Sequence, residues 1–105
     1  MQELSPTTIT STKNELLYGT QWRCTAQLEE GIDFHEMRFI SPYQVEGWSK
    51  DQTQKRAEKM FTASYMLSGE SLRIEQDQEN FQAVWIQQKI IAFVDGKTMI
   101  FHPVI

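Results

Sequence analysis

A chain of 105 residues with 40% apolar and 23% charged side chains has the composition of one folded domain, not of a disordered segment. A net charge of −4 argues against a phosphate-binding surface, and no 18-residue apolar run is present to form a membrane-spanning helix. Cys24 is the single cysteine, which excludes an internal disulfide and a thiolate metal cluster.

Residues Met1 to Lys13 are rich in Ser and Thr, contain Pro6 and show no periodicity. They predict a flexible tail over 1–13, ahead of a single domain over 14–105. The tail lacks the basic start and apolar run of an export signal. It reads as a frayed terminus or as the spacer left once a leader or lipid anchor is removed, so cytoplasmic and periplasmic locations both stay open.

The first predicted strand runs from Leu16 to Leu28, with Leu16, Tyr18, Thr20, Trp22, Cys24, Ala26 and Leu28 on one face. Thirteen residues is long for a strand, so a bend is expected, and Gly19 is where it would cost least. Cys24 in this row reads as a small buried hydrophobe. Glu29-Glu30-Gly31 makes a turn. A second strand follows over about Asp33 to Ile40, setting His35, Met37 and Phe39 against Phe34, Glu36, Arg38 and Ile40. Ser41-Pro42-Tyr43 is a turn signal, since proline fixes φ and gives a ladder no donor.

The third strand covers Gln44 to Ser49. Lys50 to Met60 is the one helical candidate: Ser49 and Gln52 have capping-box spacing, but only Ala57 and Met60 are apolar. It is expected to be a loop or one or two turns of helix. Its basic residues Lys50, Lys55, Arg56 and Lys59 read as a solvated face.

From Phe61 onward, apolar and polar positions alternate between regular breaks. Strands are predicted over Phe61–Leu67, Ser71–Asp77, Phe81–Gln87, Lys89–Val94 and Lys97–Pro103. Asp95-Gly96 is the strongest hairpin signal, because a type I′ turn needs positive φ at both central residues. Gln87-Gln88 is a poor turn by that standard, so a break there calls for a longer loop or a bulge. Eight strands in meander order with no helical crossover favour an all-β, antiparallel up-and-down barrel, whose closure removes exposed edges. The alternatives are a two-layer sandwich, or an open curved sheet with 50–60 packed on it as a helix.

Three segments carry a family resemblance: Leu17-Tyr18-Gly19-Thr20-Gln21-Trp22, the stretch from Tyr65 to Ile74, and the stretch from Asp95 to Val104. With them the chain resembles the lipocalin-like, calycin-type small β-barrels. The resemblance implies a barrel whose interior or mouth binds an apolar ligand or a partner segment, and it implies no catalytic machinery.

The residues themselves offer little chemistry. Asp33, His35 and Glu36 cluster, with His102 far along the chain, but two histidines are few for a metal site, and surface or rim residues are the expected reading. No Gly-x-Ser-x-Gly elbow or Gly-rich phosphate loop is present. Paired acids such as Glu29/Glu30 fall in turns. Trp22/Arg23, Trp48/Lys50 and Arg73 could suggest single-stranded nucleic acid binding, which the negative charge and meander order oppose.

The expected function is therefore a non-enzymatic binding protein that needs no metal or other cofactor and holds an apolar small molecule in or at the barrel mouth. By strand parity Trp22, Tyr65, Trp85, Phe93 and Phe101 are the candidate lining. The alternative is a protein–protein module (an inhibitor, pilot or assembly factor) on a filled barrel, with Tyr43 and Trp48 as anchors. Oligomeric state is not legible.

Overall fold

A computed structural model describes residues 16–77 and 79–104, so the expected tail over 1–13 and the domain boundary at 14 lie outside the described residues. Eight strands follow in order: β1 Gln21–Cys24, β2 Ile32–Phe39, β3 Gln44–Asp51, β4 Glu58–Ser68, β5 Ser71–Gln76, β6 Glu79–Ile86, β7 Lys89–Val94 and β8 Lys97–Pro103. Each pairs antiparallel with its successor, and β8 returns to β1 through Trp22↔Pro103 and Arg23↔His102. The sheet is thus a closed antiparallel meander barrel. No helix among the described residues is long and apolar enough to cross a membrane.

Turn chemistry sets much of the register. Asp95 and Gly96 have φ of 51° and 77°, the I′ signature, and seat Val94 opposite Lys97. The Gln87-Gln88 connection corrects the expectation of a longer loop. Ile86 pairs directly with Lys89, and Gln87 takes φ of 58° to make a tight two-residue turn. A non-glycine residue adopts that conformation at a cost, which the pairing on either side offsets.

The reading of the first strand also needs correction. The first strand is four residues, not thirteen: Leu16–Gly19 is a turn, Gly19 has φ of 86°, and the face reverses, leaving Leu17 fully buried while Leu16 and Tyr18 are exposed. Thr20 secures this turn, its N–H and its hydroxyl both donating to the Leu17 carbonyl. Of the two readings of 50–60, a loop or one or two turns of helix, the loop forms, shortened by the strands on either side. Lys50 and Asp51 extend β3, and β4 starts at Glu58. Between them Asp51 Oδ1 accepts from the Thr53 N–H at 2.8 Å and from its hydroxyl at 2.9 Å, bonds that hold the Asp51 carboxyl below its ordinary range. Gln52 N–H donates to the Gly31 carbonyl. With only Ala57 and Met60 to bury, a helix here would gain too little apolar contact to compete.

The core fills one end of the barrel. Leu17, Phe39, Val45, Leu67, Leu72 and Ile90 are all at most 1% exposed, and they sit where β2–β3, β4–β5 and β6–β7 turn. Phe39 and Tyr65 meet edge to face, with ring centroids 4.8 Å apart. The Tyr65 hydroxyl donates to the Ser41 carbonyl at 3.0 Å, and burial pushes its pKa up to about 12. Trp22 closes the same region, its indole N–H donating to Thr20 Oγ1 at 2.8 Å. The opposite end is packed less completely, and the candidate site lies there.

Candidate functional site

Large and small side chains alternate around the open end of the barrel and leave space between them. Met37, Gly47, Phe61, Ile74, Phe81, Ala92, Val94, Met99 and Phe101 line a half-open cavity of about 300 Å³. Gly47 and Ala92 are the small members. A Cβ on Gly47 would lie 2.3 Å from Cε2 and 2.4 Å from Cζ of Phe61, its cross-strand partner, so the ring covers bare backbone. Phe61 and Phe81 then face each other across the cavity wall, with ring centroids 6.5 Å apart.

The rim is shaped by two irregularities. Ile32 pairs with Asp51 and Phe34 with Lys50, which leaves Asp33 as an extra residue in β2. Gly47 pairs with Phe61 and Trp48 with Lys59, which leaves Met60 as an extra residue in β4. Such bulges bend a strand and re-aim side chains, and they gather at barrel rims and beside sites. Met60 is exposed and borders the cavity.

At this mouth stands a polar trio. His35 on β2 and Ser49 on β3 are cross-strand partners, and His35 Nδ1 lies 2.5 Å from Ser49 Oγ. The other ring nitrogen, Nε2, lies 2.9 Å from Glu29 Oε1, supplied by the β1–β2 loop. All three residues border the cavity. Hydrogen bonds from the His35 ring and from its own backbone N–H hold the Glu29 carboxyl below its ordinary range, and the Lys97 charge adds to this. A carboxylate only accepts, so Nε2 carries the proton. A neutral ring then leaves Nδ1 as the acceptor for the Ser49 hydroxyl; the tautomer follows from the network.

Of the five residues expected to line a ligand space, Phe101 alone borders this cavity. Trp22 and Tyr65 are buried at the closed end. Trp85 packs against the core from β6, and its buried indole N–H has no hydrogen-bond partner. Phe93 corrects the parity argument: it is 50% exposed on the outer face, because Ala92 and Val94 are the residues of β7 that point inward. The cavity residues that the parity reading left out, Phe61, Phe81, Ile74 and Met99, follow from the same alternation once the register is known.

The proposed protein anchors are not brought together. Tyr43 is 66% exposed in the β2–β3 turn. Trp48 lies five residues on, roughly 16 Å along the strand, and is partly covered. The Arg38 guanidinium stacks 3.9 Å over its ring, and its indole N–H donates to Glu46 Oε1. Beside it lies an ion cluster on the outer face. Glu36 is 2% exposed, and its carboxylate takes Arg23 Nε at 2.8 Å, Arg23 Nη2 at 2.7 Å and Arg38 Nε at 2.6 Å. Arg23 in turn stacks 3.9 Å over Phe34. Asp33 pairs with Lys50 at 2.8 Å. The acids and histidine that sit together in sequence are thus divided between the interior and the outside, and no group of three or more metal-ligating side chains forms among the described residues. Cys24 is buried, its thiol 3.5 Å from the Ala26 carbonyl.

Comparison of the chain with family models, with curated proteins and with solved structures gives no match.

Proposed function

We propose that this protein is a lipocalin-like binding protein that holds a small, mainly apolar ligand in the half-open end of its barrel. The observation that carries the reading is the cavity of about 300 Å³, walled mainly by aliphatic, Met and Phe residues, with Trp48 and the polar residues Glu29, His35, Glu36 and Ser49 also bordering it. That volume is at the lower limit of small-molecule sites and fits on the order of ten methylene-sized groups at roughly 30 Å³ each. An apolar wall with a few convergent polar groups is the usual construction of such sites.

Titration with a polarity-sensitive naphthylamine dye, followed by displacement with short- and medium-chain fatty acids and alcohols, tests this. Ala92→Leu puts three further carbons into the cavity and should weaken the dye at least about tenfold, the loss of roughly 1.4 kcal/mol. Saturable binding that is indifferent to Ala92→Leu would place the ligand elsewhere, and no saturable binding by any probe would end the proposal.

A second reading, a protein–protein module, is favoured by the outer face of β6, β7 and β8. Val84, Ile91 and Ile100 form one cross-strand row there, with exposed Phe93 and Ile86 beside it. A strand apolar on both faces, as β7 is, suits burial on both. Unchanged retention of a partner on Phe93→Asp in a correctly folded protein would count against it.

A further inference from the structure

The trio at the mouth has an arrangement that holding an apolar ligand does not require. Neighbouring inward positions at that level are apolar, yet a hydroxyl, an imidazole and a carboxylate are joined there in one chain of hydrogen bonds, Ser49 Oγ to His35 Nδ1 and His35 Nε2 to Glu29 Oε1. Ser49 and His35 are held by the β2–β3 ladder rather than by a loop, which fixes their separation. The orientation is the one general-base activation needs. Glu29 accepts a hydrogen bond from Nε2–H, which leaves the Nδ1 lone pair toward the serine hydroxyl. Ser49 also borders the apolar cavity, so an acyl chain seated there would have its carbonyl end at the mouth.

We propose that Ser49 is an acyl-accepting nucleophile, with His35 as its general base and Glu29 as a positioning residue, toward esters or thioesters whose apolar acyl chain lies in the cavity. Ser49 Oγ attacks the carbonyl carbon, and its proton passes to His35 Nδ1. The Oγ–C bond forms, the bond to the leaving oxygen or sulfur breaks, and His35 hands its proton to that atom, which departs as alcohol or thiol. A water then attacks the acyl carbon while giving a proton to Nδ1. The ester bond to Ser49 breaks, Ser49 takes the proton back, and the free acid leaves. No electrons are exchanged with any other species. Glu29 stabilises the transient imidazolium and touches no reacting atom.

This inference rests on the cavity being a ligand site, and the experiment separates the two. The intact protein is treated with p-nitrophenyl butyrate and with an alkyl fluorophosphonate, adducts are mapped by peptide mass spectrometry, and dye binding is measured on the same samples. The expected result is a single adduct on Ser49 and a nitrophenolate burst of about one per chain. Ser49→Ala should abolish both. His35→Gln should slow acylation by about 100-fold or more, and Glu29→Gln should slow it by about tenfold at an unchanged half-saturating ester concentration, a split that a merely structural role would not give. No adduct on Ser49, or adducts spread over other serines, overturns the proposal. Retained dye binding in that case leaves the ligand reading standing. A Ser49 adduct with no dye binding overturns the cavity reading and, with it, the seating of the acyl chain on which the proposal rests. Adduct mapping on the unaltered chain decides even if Ser49→Ala fails to fold.

Discussion

Gly47→Ala probes the packing that opens the cavity. An added Cβ would meet Phe61 at 2.3, 2.4 and 2.9 Å, whereas unstrained carbons stand about 3.5–4.0 Å apart, so the ring edge must retreat by more than about 1 Å. Across the wall lies the cavity, so that is where the ring has room to go. Two opposing energies then compete. Alanine is better than glycine within a strand by about 0.5–1 kcal/mol, and overpacking an aromatic typically costs about 1–3 kcal/mol. Gly47 has an ordinary negative φ, so no backbone strain enters. A net loss of about 1 kcal/mol is expected. In a Phe61→Leu background the clash is gone and only the favourable part survives, so Gly47→Ala should become neutral or stabilising. Urea midpoints of the four proteins close the cycle, with an expected coupling of about 1–3 kcal/mol. Dye affinity should fall with Gly47→Ala in the Phe61 protein and not in the Leu background. A coupling below about 0.5 kcal/mol, the additivity of independent sites, would refute the reasoning.

Glu36→Gln replaces a buried carboxylate bound by two guanidinium groups with a group that must point an N–H at one of them. A loss of about 2 kcal/mol is expected, tempered because both arginines are about a third exposed, and the difference should persist in high salt because the carboxylate is buried. Equal urea midpoints would contradict it. Tyr65 has its pKa pushed up to about 12 against roughly 10 when unfolded, so between these values the unfolded chain gives up a proton that the native chain keeps. Melting temperature should therefore fall as pH rises from 10 to 12, and Tyr65→Phe should flatten that fall while costing about 1 kcal/mol at neutral pH through the lost bond to Ser41. Gln87→Gly should stabilise by up to about 1 kcal/mol, since glycine adopts positive φ freely; a lower melting temperature would show that the side chain itself is needed.

Sequence patterning carried the second half of the fold to within three residues at every strand boundary. The boundaries expected for β7 and β8 coincide with those observed, because Asp95-Gly96 admits one turn geometry and pins the register beside it. That same turn held the signal for Phe93. A two-residue connection sets Val94 opposite Lys97, so Met99 and Phe101 share a face with Ala92 and Val94, and Phe93 must face outward. The first strand was overextended because alternation alone cannot register the reversal at Gly19. The site was legible in part. His35 had the parity of Met37 and Phe39, but its meeting with Ser49 depends on the register of the β2–β3 hairpin, which alternation alone does not fix, and Glu29 arrives from a loop that no periodicity describes. Glu36 read as a solvent-facing charge, and only the two arginines folded over it bury the carboxylate.

The brevity of β1 has a mechanical consequence. Seven of the eight junctions between neighbouring staves are laced over at least four residue pairs, while β1 and β8 share two, one of them at a proline that has no N–H to give. The Val104 amide on the Gln21 carbonyl adds a last stitch. The cylinder therefore has a zip fastener, and unfastening it exposes two raw borders while the other seven seams stay whole. Amide protons along Gln21–Cys24 should be the first in the strands to trade with deuterium, well ahead of those in β4 and β5.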